Sequence, residues 1–291
     1  MRRTLLKPSE GNEITQNQAR VMMILVAVSY STMGAAFKFV DWNPLVITAA
    51  RNMVAFVFLA AARGNARISL RKDVIIGALL SYVTSTAFVI ANKLTTAANA
   101  IVLQYTNPVF VLLLSYVFLK KTCRKKDVIL AVLMIGGIAL FFLDDLSAGQ
   151  AFGNFFALLS GIGMAGSILY ACHSGTDLRE YTMLMCLISV AIGIPAAIAE
   201  PVDLSFRAVA AVLFLGIVGM GLSSVLYAKA APCISSVEVS MLLMLDPILN
   251  PLWVALCVGE RPGPFALLGG TVVVGCMVCR NLPVSRETGK K

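Results

Sequence analysis

The sequence predicts an all-α integral membrane protein whose ten transmembrane helices form two inverted five-helix repeats. Three observations carry this expectation. Of 291 residues, 58% are hydrophobic and 13% charged, whereas a soluble domain carries charge at roughly a quarter of its positions. The apolar residues fall in ten long blocks, with most Lys and Arg between them. The second half of the chain then repeats the pattern of the first at a constant offset of 139.

The blocks are 18–39, 44–62, 73–92, 97–119, 126–143, 152–171, 181–199, 207–229, 235–257 and 264–281. Each approaches the roughly 20 residues needed to cross the hydrocarbon core as a helix. Backbone in lipid must satisfy its own hydrogen bonds, which leaves helices or closed barrels. Barrel strands alternate apolar and polar residues; these blocks are continuous, so helices are expected. The connections are short and leave no room for a sizeable soluble domain.

The net charge of +9 reads as topology rather than as a nucleic-acid surface. With the N-terminus placed in the cytoplasm, 19 of the 24 Lys and Arg fall on the cytoplasmic side. Only Lys93, Arg207 and Arg261 fall outside, and Lys38 and Arg51 lie within spans. By the positive-inside rule this places both termini in the cytoplasm, with an inner (plasma) membrane as the expected location. Residues 1–17 form a polar, basic N-terminal segment that resembles neither a cleaved signal peptide nor a lipidation motif. The repeats are expected at 18–143 and 152–281, followed by a cytoplasmic tail at 282–291.

The repeat is visible residue by residue. Gly77 aligns with Gly216, Ser85 with Ser224, Phe88 with Tyr227, Thr96 with Ser235, Asn107-Pro108 with Asp246-Pro247, and Gly136 with Gly275. Five crossings per half reverse the second copy in the membrane, a plan used by many secondary transporters.

These features resemble the EamA family of the drug/metabolite transporter superfamily. The resemblance spans nearly the whole chain. It rests on Ser236-Val237-Glu238, Leu245-Asp246-Pro247, Gly259-Glu260-Arg261 and Leu268-Gly269-Gly270 in the second half. In the first half it rests on Pro44, Arg51, Ala97-Ala98-Asn99-Ala100 and Asn107-Pro108. The first half departs at Leu119-Lys120-Lys121, where Gly-Glu is expected, and at Asn107, where an acid is frequent. The resemblance implies ATP-independent movement of small metabolites through a cavity lined by spans 1–4 and 6–9, with spans 5 and 10 peripheral.

Several intramembrane residues are candidates for that work. Pro108, Pro247 and Pro251 interrupt helical hydrogen bonding and read as hinges, or else as static kinks. A charged side chain at mid-membrane costs about 3 kcal/mol or more. Asp246 is therefore a candidate for proton coupling or for meeting a substrate amine, because desolvation favours a neutral carboxyl. It is equally placed to cap a helix starting at Pro247. Arg51 offers a planar fork to a carboxylate, unless it pairs within the protein or snorkels outwards. Gln104, Tyr105 and Asn107 in span 4, and Asn250 and Trp253 in span 9, provide amides and rings suited to an amphoteric substrate. The same groups also act as glue between helices. Glu238, Lys38, Tyr30, Tyr82 and Tyr170 are weaker candidates: Glu238 suits a helix N-terminus and Lys38 an interfacial anchor.

Gly161, Gly163, Ala165 and Gly166, like Gly216, Gly219 and Gly221, fit close helix packing. Cys276 and Cys279 form a C-x-x-C inside the last span, which reads as packing. His173 is the only histidine, and no nucleophile–base pair, metal cluster or nucleotide motif accompanies it. Neither enzyme activity, nor a cofactor, nor a metal is expected. The expectation is a secondary transporter for a small molecule, most directly an exporter of amino acids or related metabolites. Export of lipophilic cations is the alternative, and a non-transporting scaffold a more distant one. Oligomeric state is not legible.

Overall fold

In the computed structural model, the described residues are 14–64, 68–120, 125–140, 143, 148–174, 178–234, 239 and 242–281. All regular structure among them is helical. In chain order the helices are α1 (Gln16–Lys38), α2 (Pro44–Arg63), α3 (Lys72–Leu94), α4 (Ala97–Gln104), α5 (Asn107–Leu119), α6 (Lys125–Leu140), α7 (Ala148–Ser174) and α8 (Leu178–Ala199). They continue with α9 (Phe206–Phe214), a π-helical segment (Leu215–Leu222), α10 (Ser223–Ala230), α11 (Leu245–Val258) and α12 (Pro264–Asn281). Seven stretches are long and apolar enough to cross a membrane, the last being the continuous Phe206–Ala230, and three shorter apolar helices accompany them. The chain is a multi-pass membrane protein.

Local sequence explains the ends. Thr15 and Gln18 form a capping box that opens α1. Asn43 caps α2 with Pro44 in its first turn, and Gly64 closes it at φ 72°, a left-handed conformation that suits glycine. Thr96 caps α4 by accepting from the Asn99 amide.

The proline hinges take a different form from the expected kinks. The fourth apolar stretch breaks outright at Tyr105 and Thr106, and α5 starts afresh with Pro108 in its first turn, where the missing N–H costs nothing. A matching turn falls at Met244, ahead of α11, at the position related to Tyr105 by the offset of 139. Pro247 sits in the first turn of α11, so only Pro251 lies inside that helix; Pro195 also lies inside α8, a feature the sequence reading passed over.

Packing is reciprocal between the halves. α3 and the α4–α5 pair lie along α7, while α10 and α11 lie along α1; α2 packs on α8, and α6 on α12. Small residues set these distances. A Cβ on Gly77 of α3 would crowd the Tyr181 ring of α8, and one on Gly216 would fall 2.7 Å from the Arg51 carbonyl of α2. Some hydroxyls are satisfied within their own helices: Thr48 donates to the Pro44 carbonyl, Thr84 to Leu80 and Ser189 to Met185. Such back-bonding hides a polar group from lipid without a partner helix.

Candidate functional site

Both helix breaks deliver polar side chains to the interior, but to different surroundings. Asp246, in the first turn of α11, is 3% exposed. The Tyr105 hydroxyl, carried by the opposite break, donates to Asp246 Oδ2 at 2.9 Å. Asp246 Oδ1 is buried with no hydrogen-bond partner. Tyr30 of α1 and Tyr227 of α10 stand within electrostatic range of this group. The capping alternative is not realised: α11 begins before Pro247, its N-cap position is Met244, and no side chain caps it.

One turn further along α11, Asn250 Nδ2 donates to the Ser31 carbonyl at 3.0 Å, while Asn250 Oδ1 is left without a partner. Trp253 Nε1 donates to Ser31 Oγ at 3.0 Å. Gly34 makes this approach possible, since a Cβ there would lie 2.9 Å from Asn250 Oδ1. Beyond it, Lys38 Nζ donates to the Thr95 carbonyl at 2.9 Å and lies 3.3 Å from Glu260 Oε2. Lys38 therefore ties the ends of α1, α3 and α11 together rather than standing alone as an interfacial anchor.

At the first break, Gln104 and Asn107 bond to the scaffold, while Asn99 of α4 keeps a buried Oδ1 without a partner. Gln104 Nε2 donates to Ser160 Oγ at 2.6 Å, and that hydroxyl donates to the Thr84 carbonyl at 2.8 Å. Asn107 Nδ2 approaches Met164 Sδ at 3.0 Å. Both amides therefore face α7, as their spacing predicts, despite the break between them.

Arg51 forms a second cluster. It is 2% exposed, so it does not snorkel. Its Nη2 donates to Ser85 Oγ at 2.6 Å, and its guanidinium lies 5.0 Å from the centre of the Phe37 ring. Arg51 Nε is buried without an acceptor, and among the described residues no carboxylate lies within ion-pair distance. Arg51 and Asp246 are thus each buried, each incompletely partnered, and not paired with one another.

Arg51, Asp246 and Asn250 are all buried. Two grooves flank α11. A groove of about 410 Å³ runs past Ala98, Val102, Pro247, Pro251 and Ala266, and another of about 440 Å³ past Thr32, Phe39, Arg207, Phe214 and Trp253. Neither is lined by Arg51 or Asp246.

Sequence reasoning gave Ser31, Phe37, Ser160 and Met164 no role, and noted Ser85 and Tyr227 only as repeat matches. Small hydroxyls in apolar helices carry no signal until the neighbouring helix is known. The paired alignment of Phe88 with Tyr227 did hold one: a hydroxyl gained in the half that also carries the acid. Of the weaker candidates, Tyr82 packs in the cluster of α2, α3 and α8 around Val74 and Tyr181. Ser236, Val237 and Glu238 lie outside the described residues, as does the side chain of His173.

The sequence pattern of the EamA-like transporter family matches residues 18–143 and again 151–279. The chain belongs to this family, within the drug/metabolite transporter superfamily. An uncharacterized transporter from Archaeoglobus fulgidus is 24% identical over 254 residues, covering 82% of this chain and 84% of that one. A solved crystal structure shares the fold with a TM-score of 0.65 at 18% identity, covering 94% of this chain and 99% of its own. The protein is a membrane transporter, with its family domain present twice.

Proposed function

We propose that this EamA-family protein is a secondary active exporter of amino acids or related small metabolites, working by alternating access in an inner membrane. Ten crossings in two inverted five-helix repeats, with both termini cytoplasmic, would carry the mechanism. The reciprocal packing of the halves and the two breaks at positions 139 apart support the inverted arrangement. The observation that carries the reading is Asp246: a buried carboxyl at a helix break, held on one oxygen by Tyr105 and unpartnered on the other. A buried acceptor left open costs stability, and a proton or a substrate amine relieves that cost. Alternating relief on the two sides of the membrane is what couples a cycle to a gradient. Arg51 serves an anionic group in the same cycle; Gln104 and Asn107 hold the frame, and Pro108, Pro247 and Pro251 mark the segments that move.

The test is proton-coupled flux of labelled amino acids in proteoliposomes. Asp246→Asn abolishes coupled flux while the protein stays folded; flux at the unsubstituted level in that variant removes Asp246 from the mechanism. A second reading, export of lipophilic cations, draws support from the two apolar grooves beside α11. It requires Asp246 without Arg51, so loss of flux in Arg51→Ala separates the two.

A further inference from the structure

The groove past Thr32, Phe39, Arg207, Phe214 and Trp253 has a direction and a single charged end. Its walls are α1 from Thr32 to Phe39, α9 from Phe206 to Phe214, and Trp253 and Cys257 of α11. α1 runs antiparallel to α9 and the π-helical segment that continues it. Arg207 lies over the Phe39 ring, 4.4 Å from its centre, whereas Met33 packs deeper, where a Cβ on Gly219 would meet it at 3.1 Å. Thr32 and Phe214 thus mark the deep end of the groove, and Phe39 and Arg207 its mouth. The run from Thr32 to Phe39 rises about 10 Å, most of the depth of one leaflet, which is about 15 Å of hydrocarbon. α1 and Phe206–Ala230 are both long and apolar enough to cross a membrane, so the space between them opens onto lipid.

Arg207 is exposed at this mouth. The Phe39 ring covers one face of its guanidinium, and among the described residues no acceptor or carboxylate meets its N–H groups. The acids of the preceding loop are engaged elsewhere: Asp203 accepts from the Ser205 amide and hydroxyl at 2.9 and 2.7 Å, and Glu200 from Asn43 at 3.1 Å. A planar fork with free donors suits a phosphate. We infer that this groove holds one acyl chain of an anionic phospholipid, with the lipid's phosphate on Arg207. Phosphatidylcholine offers the same phosphate but brings its own ammonium, and a lipophilic cation meets a like charge at the mouth. No charged side chain lines the groove on the other side of α11, so that groove has no means of choosing a headgroup. The lipid site is independent of Asp246 and Arg51 and of the solute carried.

The test is the fluorescence of Trp253 in reconstituted vesicles. Trp42→Phe leaves Trp253 as the only tryptophan of the chain, and its half-buried ring forms part of the groove wall. The vesicles are phosphatidylcholine with a minor fraction of lipid brominated along its acyl chains, either phosphatidylglycerol or phosphatidylcholine; bromine quenches indole on contact. Brominated phosphatidylglycerol should occupy the groove with a preference of about fivefold, the worth of one basic side chain at an anionic lipid surface, and so quench more strongly at equal fraction. Arg207→Gln should abolish the preference, whereas Arg261→Gln, at an exposed cation outside the groove, should keep it. Ala210→Phe, at an exposed position of the groove wall, should reduce quenching by both lipids. The comparison of two lipids on the unsubstituted groove alters only the ligand, so it stands even where a variant misfolds. Equal quenching by the two lipids, a preference that survives Arg207→Gln, or one lost as fully in Arg261→Gln overturns the site. Displacement of the brominated chain by tetraphenylphosphonium would make the groove a path for lipophilic cations. Absence of quenching by either lipid would mean that protein, a second copy of this chain included, covers it. Each of these also overturns the lipid site.

Discussion

The breaks on either side of the bundle occupy equivalent positions in the chain but end in opposite chemistry. At the first, Gln104 and Asn107 find Ser160 and Met164 on α7 and hold helices together. At the second, Asp246 and Asn250 each keep a buried oxygen with no partner. Both grooves lie beside α11, one between it and α4 and the other between it and α1. A duplicated fold lets equivalent positions in the two copies diverge in chemistry. Buried unsatisfied groups are costly; among the described residues they occur at Asp246 and Asn250 beside the second break and, in the first half, at Arg51, Asn52, Thr86, Asn92 and Asn99.

The comparison breaks most sharply if the two acid positions are exchanged. Asn107→Asp would put a carboxylate beside the Met164 sulfur, in a site that offers it no strong donor. An uncompensated buried charge costs about 3–5 kcal/mol, so folded yield and Tm in detergent should both collapse. Asp246→Asn removes a charge instead, and its Tm should stay within a few degrees while coupled flux disappears. Similar stability losses in the two variants would mean that the halves are not divided in this way.

Arg51 gives the next largest effect, with a change of sign. A buried guanidinium without a carboxylate is retained at a cost, so Arg51→Met should stabilise the folded protein by about 0.5–2 kcal/mol while impairing transport, as stabilising changes at functional sites do. Its neighbour Asn52 is the control. Asn52 Nδ2 donates to Ser189 Oγ at 2.8 Å across the α2–α8 contact, and Ser189 keeps its own bond to the Met185 carbonyl, so Asn52→Ala should destabilise by about 1 kcal/mol. Chemical denaturation of both variants in detergent checks the opposite signs.

Much of this division was legible in the sequence, but not its cause. The membrane class follows from apolar blocks, and the duplicated family domain follows from pairs such as Asn107-Pro108 with Asp246-Pro247. The identities of Asp246 and Arg51 as buried charges could be read from their place in apolar stretches. Their partners could not, because Tyr105, Ser85 and Phe37 reach them from other helices, and helix register across a bundle is set by close approaches such as Gly34 against Asn250. The break at Tyr105 and Thr106 was expected only as an interruption at Pro108: proline removes a helical hydrogen bond, but sequence alone does not say whether the chain bends or starts again.

Register itself can be tested at Gly34. A Cβ there would meet the Asn250 amide rather than backbone, so the side chain must turn away from Ser31. Overpacking of this kind costs about 1–3 kcal/mol. Gly34→Ala should lower Tm and weaken ligand-induced stabilisation, whereas alanine at Gly136, which has open space around it, should do neither. Equal effects would show that α1 and α11 do not approach as closely as described.

The smallest effect belongs to Trp253, and it marks where the functional region ends. Its indole N–H donates to Ser31 Oγ, but the ring lies on the wall of a groove and is only half-buried. Ser31 Oγ keeps its own bond to the Val28 carbonyl at 2.7 Å whether or not the indole is present. Trp253→Phe therefore removes one neutral hydrogen bond and leaves no buried donor stranded, a loss of about 0.5–1.5 kcal/mol. Tm should fall slightly and flux of a small polar substrate should persist, because the unpartnered atoms at Asp246, Asn250 and Arg51 are untouched. A loss of flux as large as that in Asp246→Asn would move the substrate path out of the bundle interior and into the groove between α1, α9 and α11, and with it would move the choice of substrate from an amino acid towards a lipophilic cation.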